Sequence, residues 1–476
     1  MKKNLILFVA CVFFSIQLKA QQCEVIFDLN YDTADKIEAV CVKQGCAIPL
    51  DKKPFPEREG YRFGGWYTSK EGKAADEWLF GKMVGMIGAF MNQENDSMKV
   101  EKPMTLFARW IAPTHIVDAE GLNRMRNDLH GWYVLDNDID LSDIDDWVQV
   151  GEYEANYEWA EGEWWRNAFK GKFDGQGHTI RNLRLTKPTA EKKAMFGSMA
   201  NGEICNLVLE DCMIDMNTTA MYVAPLVGIM KQDGGRIASI TNVQVKNARF
   251  DVNLNNSIGA FSGVTALTVG AWNGTVSRCS VQGEMNISFT GTGGGELHVG
   301  GLAGENYCEV HDCQADFTIN LHFRQPKIEG EFKAFVGGLV ASATTVADCE
   351  ADAKINIDGD PLTDQLFIGG LVGSERYGEI SQSTAKMRAR LSGMKQAQIG
   401  GIVGEFNKTY GGIGAALGTK KTSVHDCHAE MDIQADPDIR LVRGAISGSG
   451  IPEPLKAWGG QMEYEVRDCT SGQSPL

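Results

Sequence analysis

From residue 170 to residue 470, apolar and polar positions alternate in short runs, as in Ile204-Cys205-Asn206-Leu207-Val208-Leu209 and Lys354-Ile355-Asn356-Ile357. Gly, Asn or Asp interrupts each run after a few residues. Alternation with a period of two predicts strands, and the interruptions forbid long helices. Two phrases recur through the region. One is glycine-rich: Val299-Gly300-Gly301-Leu302-Ala303-Gly304, Val336-Gly337-Gly338-Leu339-Val340-Ala341, Ile368-Gly369-Gly370-Leu371-Val372-Gly373 and Ile399-Gly400-Gly401-Ile402-Val403-Gly404. The other reads apolar, any, Asx-like, small or apolar. Its fourth position is filled in turn by Leu183, Leu207, Val243, Cys279, Cys313, Cys349, Ser383, Cys427 and Cys469. The spacing drifts around a period of about 36 residues, the mark of a solenoid whose loops vary on one side. Short strands at that period predict a right-handed parallel β-helix of about eight coils, each burying its apolar face against the next. The Asx-like column (Asn182, Asn206, Asn242, Asp312, Asp348, Asp426, Asp468) is expected at a bend in left-handed backbone, which Asn and Asp tolerate.

Residues 23–111 follow a different pattern. Val25, Phe27 and Leu29 alternate as in a strand, Gly60 and Gly64-Gly65 supply turns, and Phe63, Trp66, Phe107 and Trp110 are expected to fill a small core. Residues 74–93 read as an inserted helix rich in Met and Phe. Gly60-Tyr61-Arg62-Phe63-Gly64-Gly65-Trp66-Tyr67-Thr68 and Thr105-Leu106-Phe107-Ala108-Arg109-Trp110 resemble the Listeria–Bacteroides repeat, the internalin B-type repeat of bacterial surface proteins. That resemblance implies a small β-grasp-like module. Next, Asp118 is placed to cap a short helix with Leu122, Met125 and Leu129 on one face, ahead of a strand at Trp132-Tyr133-Val134-Leu135. The opening Phe169-Lys170-Gly171-Lys172-Phe173-Asp174-Gly175-Gln176-Gly177-His178-Thr179-Ile180, with the Gly-Gly phrases, closely resembles the GLUG repeats of bacterial surface adhesins. Those repeats also form the non-catalytic part of immunoglobulin A peptidases. The expected fold class is all-β. The expected division is a signal peptide at 1–20, the module at 21–111, a capping helix and first strands with an aromatic-acidic insertion at 112–169, and the β-helix at 170–476.

The signal peptide is read from Lys2-Lys3, the apolar run Leu5 to Ile16 and the small-residue site ending at Ala20. Neither Cys11 nor Cys23 fits a lipoprotein site well, which favours soluble export to the envelope, cell surface or medium. No stretch reaches the roughly 18 apolar residues of a spanning helix. The net charge of −16 repels nucleic acid and anionic lipid, so neither is expected as a partner. Gly, at 54 of 476 residues, fits a chain of many tight turns.

Of the 12 cysteines, Cys279, Cys313, Cys349, Cys427 and Cys469 share one repeat column. Side chains stacked in parallel register do not reach the disulfide dihedral, so a ladder of buried free thiols is expected. A true disulfide is expected among Cys23, Cys41 and Cys46. His311-Asp312-Cys313 and His425-Asp426-Cys427-His428 suggest metal, but no Cys-x-x-Cys pair accompanies them, and no metal or cofactor is expected.

Catalytic phrases are absent. The chain has no His-Glu pair for a metalloprotease and no Gly-x-Ser-x-Gly; the nearest text is Gly444-Ala445-Ile446-Ser447-Gly448-Ser449-Gly450. The acidic run at 136–146 lacks the calcium-loop glycine and the closing Glu, and reads as a solvated turn. The remaining candidate is the segment 152–165, where Tyr153, Tyr157, Trp159, Trp164 and Trp165 stand among five Glu. Flat aromatic faces beside carboxylates suit sugar rings, and the same residues suit a cap on the end of a solenoid. The expected function is a non-enzymatic, adhesin-like protein binding a host or neighbouring-cell surface protein or glycan. The alternative is a carbohydrate-active β-helix enzyme, a polysaccharide lyase or glycosidase.

Overall fold

A strand that alternates buries one face, and the second half of its core must come from the next coil. The computed structural model describes residues 21–73, 76–78, 80, 98–151, 167–187, 192–219, 222–231, 238–255, 260–363, 365–406, 421–450, 455–457 and 460–473. It forms two compact units, one ending at Trp110 and one that includes Ile111–Leu476.

The larger unit is a parallel β-solenoid with three strands per coil. In one coil Glu329–Gly337, Val340–Ala347 and Glu350–Asp358 follow one another. The first strand type stacks into an eight-stranded sheet, and the other two run through a 25-stranded sheet. Stacking is parallel and in register: Val336 lies between Val299 and Ile368, and Ala351 between Ala315 and Ala385.

Two local devices turn the later coils. A Cβ on the first glycine of the Gly-Gly phrase would fall 1.9 Å from the Val340 oxygen at Gly337 and 1.8 Å from the Val372 oxygen at Gly369. At these two turns no side chain fits without a shift of the backbone. The second device is the left-handed residue before the thiol column. All seven predicted Asx residues adopt positive φ, and Arg278 and Gln382 take the same conformation in coils without Asx.

The thiol column forms as expected. Cys279, Cys313, Cys349 and Cys427 are buried and carry free thiols; Cys469, in the last stacked coil, is half-buried. Each Sγ donates to the carbonyl two residues earlier, at 3.1 Å for Cys313 and Cys349, and the Ser383 hydroxyl makes the same bond at 2.7 Å. Burial pushes the Cys427 thiol up to about 12, which keeps it protonated. Leu183 corrects the expected column. Arg184 pairs with Met213, so Leu183 stacks on Cys212 rather than on Leu207. The early coils carry a second left-handed bend, at Asn182, Asp211 and Asn247, which a register shift between Val245 and Ala248 removes from later coils.

The helix Ala119–Arg124 is capped by Asp118, whose Oδ1 accepts from the Gly121 amide at 2.8 Å. Leu122 and Met125 are buried in the solenoid core, and Leu129 packs against it.

The smaller unit centres on a four-stranded sheet in the order Val40–Lys43, Gln22–Asp28, Met104–Ile111, Arg62–Tyr67. Its core joins Phe27, Phe63 and Trp66, with ring centroids 4.8 Å apart for Phe27–Trp66 and 5.3 Å for Phe63–Trp66. Trp110 packs against this cluster, but Phe107 does not belong to it: Leu106 and Ala108 take the inward positions, and Lys70 lies over the outward Phe107 ring. Trp78 and Phe80 join the core, whereas most of the predicted inserted helix (74, 75, 79 and 81–93) lies outside the described residues. The signal segment 1–20 lies outside them too. The expected disulfide is not formed, because Cys23 points into the core while Cys41 and Cys46 are exposed; all three are free.

Candidate binding surface

The strands Ser280–Phe289, Gln314–Phe323, Glu350–Asp358, Thr384–Ser392 and His428–Ala435 lie side by side, and their outward positions stack into straight columns. One column runs Asn286, Asn320, Asn356, Arg390, Gln434. Asn356 Nδ2 donates to Asn320 Oδ1 at 2.7 Å, and Asn320 Nδ2 donates to Asn286 Oδ1 at 2.7 Å and to Glu284 at 2.9 Å. Earlier coils repeat the device, with Asn253 donating to Asn217 at 3.1 Å and Asn242 to Asn206 at 2.8 Å. The next column but one carries Gln282, Asp316, Asp352, Lys386 and Glu430, and Arg388, from the column between, reaches Asp352 at 2.5 Å. The result is a polar face of both charges, with amides fixed by their neighbours at the strand spacing of about 4.8 Å.

A second polar cluster occupies the angle where the eight-stranded sheet meets the strands that follow the Gly-Gly turns. Glu305, Ser342, Ser374 and Glu405 stack in register on successive coils. Arg376, fully buried, donates to Glu305 Oε1 at 2.6 Å and to Glu296 Oε2 at 2.9 Å. His298, also fully buried, reaches Glu296 Oε2 through Nε2 at 3.1 Å, and its ring packs on Phe335 at 5.0 Å. Burial lowers the His298 pKa, so the neutral ring donates. Burial alone would raise the Glu296 carboxyl, yet the bond from His298 and the charge of Arg376 hold it at about 2. Glu405 moves the other way. Burial pushes it to about 7, against the Ser374 hydroxyl 3.1 Å away and the positive charges of Lys333 and Arg376.

The predicted contact residues Tyr153, Tyr157, Trp159, Trp164 and Trp165 lie outside the described residues. Both flanks of that segment are anchored. Trp147 is buried and donates through Nε1 to the Met195 carbonyl at 3.0 Å, and Val150 and Phe169 bridge to Phe196 and Met199. The acidic run before it is tied to the first coil. Asp138 accepts from the Thr179 amide at 2.9 Å, Asp140 from Asn182 at 2.8 Å, and Asp146 from the Thr186 amide and Lys193, both at 2.8 Å. The His-Cys phrases do not converge on a metal. Their thiols point inward, while the His425 ring lies between Asp426 and Glu379. Among the described residues no group of three or more His, Cys, Asp or Glu is placed to hold a metal ion.

Sequence reasoning missed the Arg376 cluster, although one signal was present. Glu305 and Glu405 directly follow Gly304 and Gly404 at the end of the Gly-rich phrase, where the intervening coils place Ser342 and Ser374.

Comparison with known proteins adds one family. Residues 24–90 match the family model of the Listeria-Bacteroides repeat domain. No curated protein matches the sequence. A crystal structure of a Bacteroides ovatus protein, described provisionally as an immunoglobulin A1 protease, aligns over 76% of this chain and 84% of its own, with 17% identity and a TM-score of 0.39. Among the described residues no helix is long and apolar enough to cross a membrane.

Proposed function

We propose that the chain is an exported, adhesin-like surface protein that binds a host or envelope protein or glycan and catalyses no reaction. In this reading a right-handed, GLUG-type β-helix carries the binding face, and the Listeria–Bacteroides repeat is an accessory module. The observation that supports it is the amide-laddered outer face. Asn286, Asn320 and Asn356 hold one another in place, so a ligand laid along the coils meets donors and acceptors that lose little freedom on binding. Tyr153, Tyr157, Trp159, Trp164 and Trp165 are the proposed stacking residues for such a ligand.

The test is a glycan and extracellular-matrix array probed with the mature chain. Binding is expected, reduced at least about tenfold by Asn320→Ala with Asn356→Ala, while the melting temperature barely moves. Trp159→Ala with Trp164→Ala should abolish binding and leave melting intact. A large loss of stability in that second variant would assign the segment to capping instead. A silent array, together with depolymerisation of a polysaccharide by the purified chain, would overturn the reading.

The enzyme alternative draws on one observation: Glu405 and Glu296 have environments that push their carboxyls apart, as in acid–base pairs. The enclosure of Arg376 and His298 beside them weighs against it, because a sugar chain needs an open groove.

A further inference from the structure

The Arg376 cluster joins parts of the chain that are far apart in sequence. Glu296 and Glu305 lie 80 and 71 residues before Arg376, and Glu405 belongs to the next coil after it. The groups facing Glu405 come from each strand around it. Ser374 and Arg376 lie on the strand Val372–Ser381, Lys333 on Glu329–Gly337, and Glu296 with neutral His298 on Gly293–Gly300. Lys333 also reaches toward the exposed Glu331, at 3.7 Å. Glu375, adjacent in sequence, acts instead on Tyr464.

Charge accounting then singles out one group. With the solvent-exposed Glu331 left to water, Glu296 and Glu305 balance Arg376 and Lys333, so the remaining set is neutral only while Glu405 holds a proton. A third carboxylate would be an uncompensated charge in a poorly solvated angle. We propose that Glu405 is the proton-sensing element of a clamp that ties successive coils together, tight when its carboxyl is neutral and loosened when it ionises. The proposal is independent of what the outer face binds.

The sign follows from linkage. The Glu405 carboxyl is raised from 4.5 to about 7 in the fold. Its contribution to stability is therefore full below the unfolded value and lost as pH rises toward and through about 7. Ser374 donates to the ionised form, so removing its hydroxyl should shift the loss to higher pH.

The experiment is equilibrium unfolding of the full chain and its variants between pH 4.5 and 8.5. Relative to Glu405→Gln, the wild-type unfolding constant should rise roughly a hundredfold across this range, most of it before about pH 7.5. The two chains should be alike at the acid end. Ser374→Ala should enlarge the wild-type amplitude and extend the loss to higher pH. Parallel pH profiles for wild type and Glu405→Gln would overturn the proposal, as would a Ser374→Ala profile whose amplitude and upper limit match those of wild type.

Discussion

Two side-chain columns run up the same coils and meet burial in opposite ways. The thiol column at Cys279, Cys313, Cys349, Ser383 and Cys427 is neutral, and each member donates to a carbonyl two residues back. Its shortest donor bonds stay within each coil, and its links between coils join adjacent ones, as where Cys349 Sγ and the Ser383 hydroxyl accept from the amides of Cys313 and Cys349. The column at Glu305, Ser342, Ser374 and Glu405 is ionic and depends on Arg376, two residues beyond Ser374 on the same strand, and on His298 and Glu296 from the strand Gly293–Gly300. The first column can be extended coil by coil. The second ties particular coils to one another. A solenoid thus gains repeatability from one and a fixed coil order from the other.

The strongest way to break this contrast is Arg376→Met. It leaves Glu296 and Glu305 enclosed without their cation and should destabilise by about 3–5 kcal/mol at neutral pH, read by urea unfolding. Glu296 is held at about 2, and its contribution is present above the ordinary carboxylate value and lost as pH falls toward 2. The penalty of Arg376→Met should therefore shrink in acid, and a penalty independent of pH would show that packing and not charge was lost.

Gly337→Ala should come next, at about 3 kcal/mol, because the added methyl would lie 1.9 Å from a backbone oxygen that cannot swing away. Circular dichroism melting would record it. Cys349→Ser should cost less than about 1.5 kcal/mol, since Ser383 already makes the same bond in the next coil. A loss comparable to that of Arg376→Met would abolish the distinction between the columns. The smallest effect is expected for Asn320→Ala, within about 1 kcal/mol, because its partners on the outer face can turn to water.

The same contrast explains what the sequence revealed. The thiol column, the Asx bends, the Gly-Gly turns and the Asp118 cap were legible because each is set by residues close in sequence that recur with the period. Arg376 was illegible because its partners lie two coils away, and the intervening loops vary in length. Leu183 was misplaced because the early coils have two bends of the same chemistry, at Asn182 and Asp211 and at Asn206, and spacing alone does not separate them. Phe107 was assigned inward from its size, whereas the period of two turns it outward between Leu106 and Ala108. The candidate binding face was only half legible: the alternating polar positions were visible, but the bonds among Asn286, Asn320 and Asn356 required the register.

The most direct test of stacked coils with a neutral thiol column is alkylation followed by peptide mass mapping, on the folded chain and on the chain unfolded without reductant. Cys279, Cys313, Cys349 and Cys427 should be protected in the folded chain and Cys469 partly reactive, and all five should be fully labelled on unfolding. Ready labelling of Cys313 and Cys349 in the folded chain, or a disulfide between any two of the five, would contradict the register on which both columns depend.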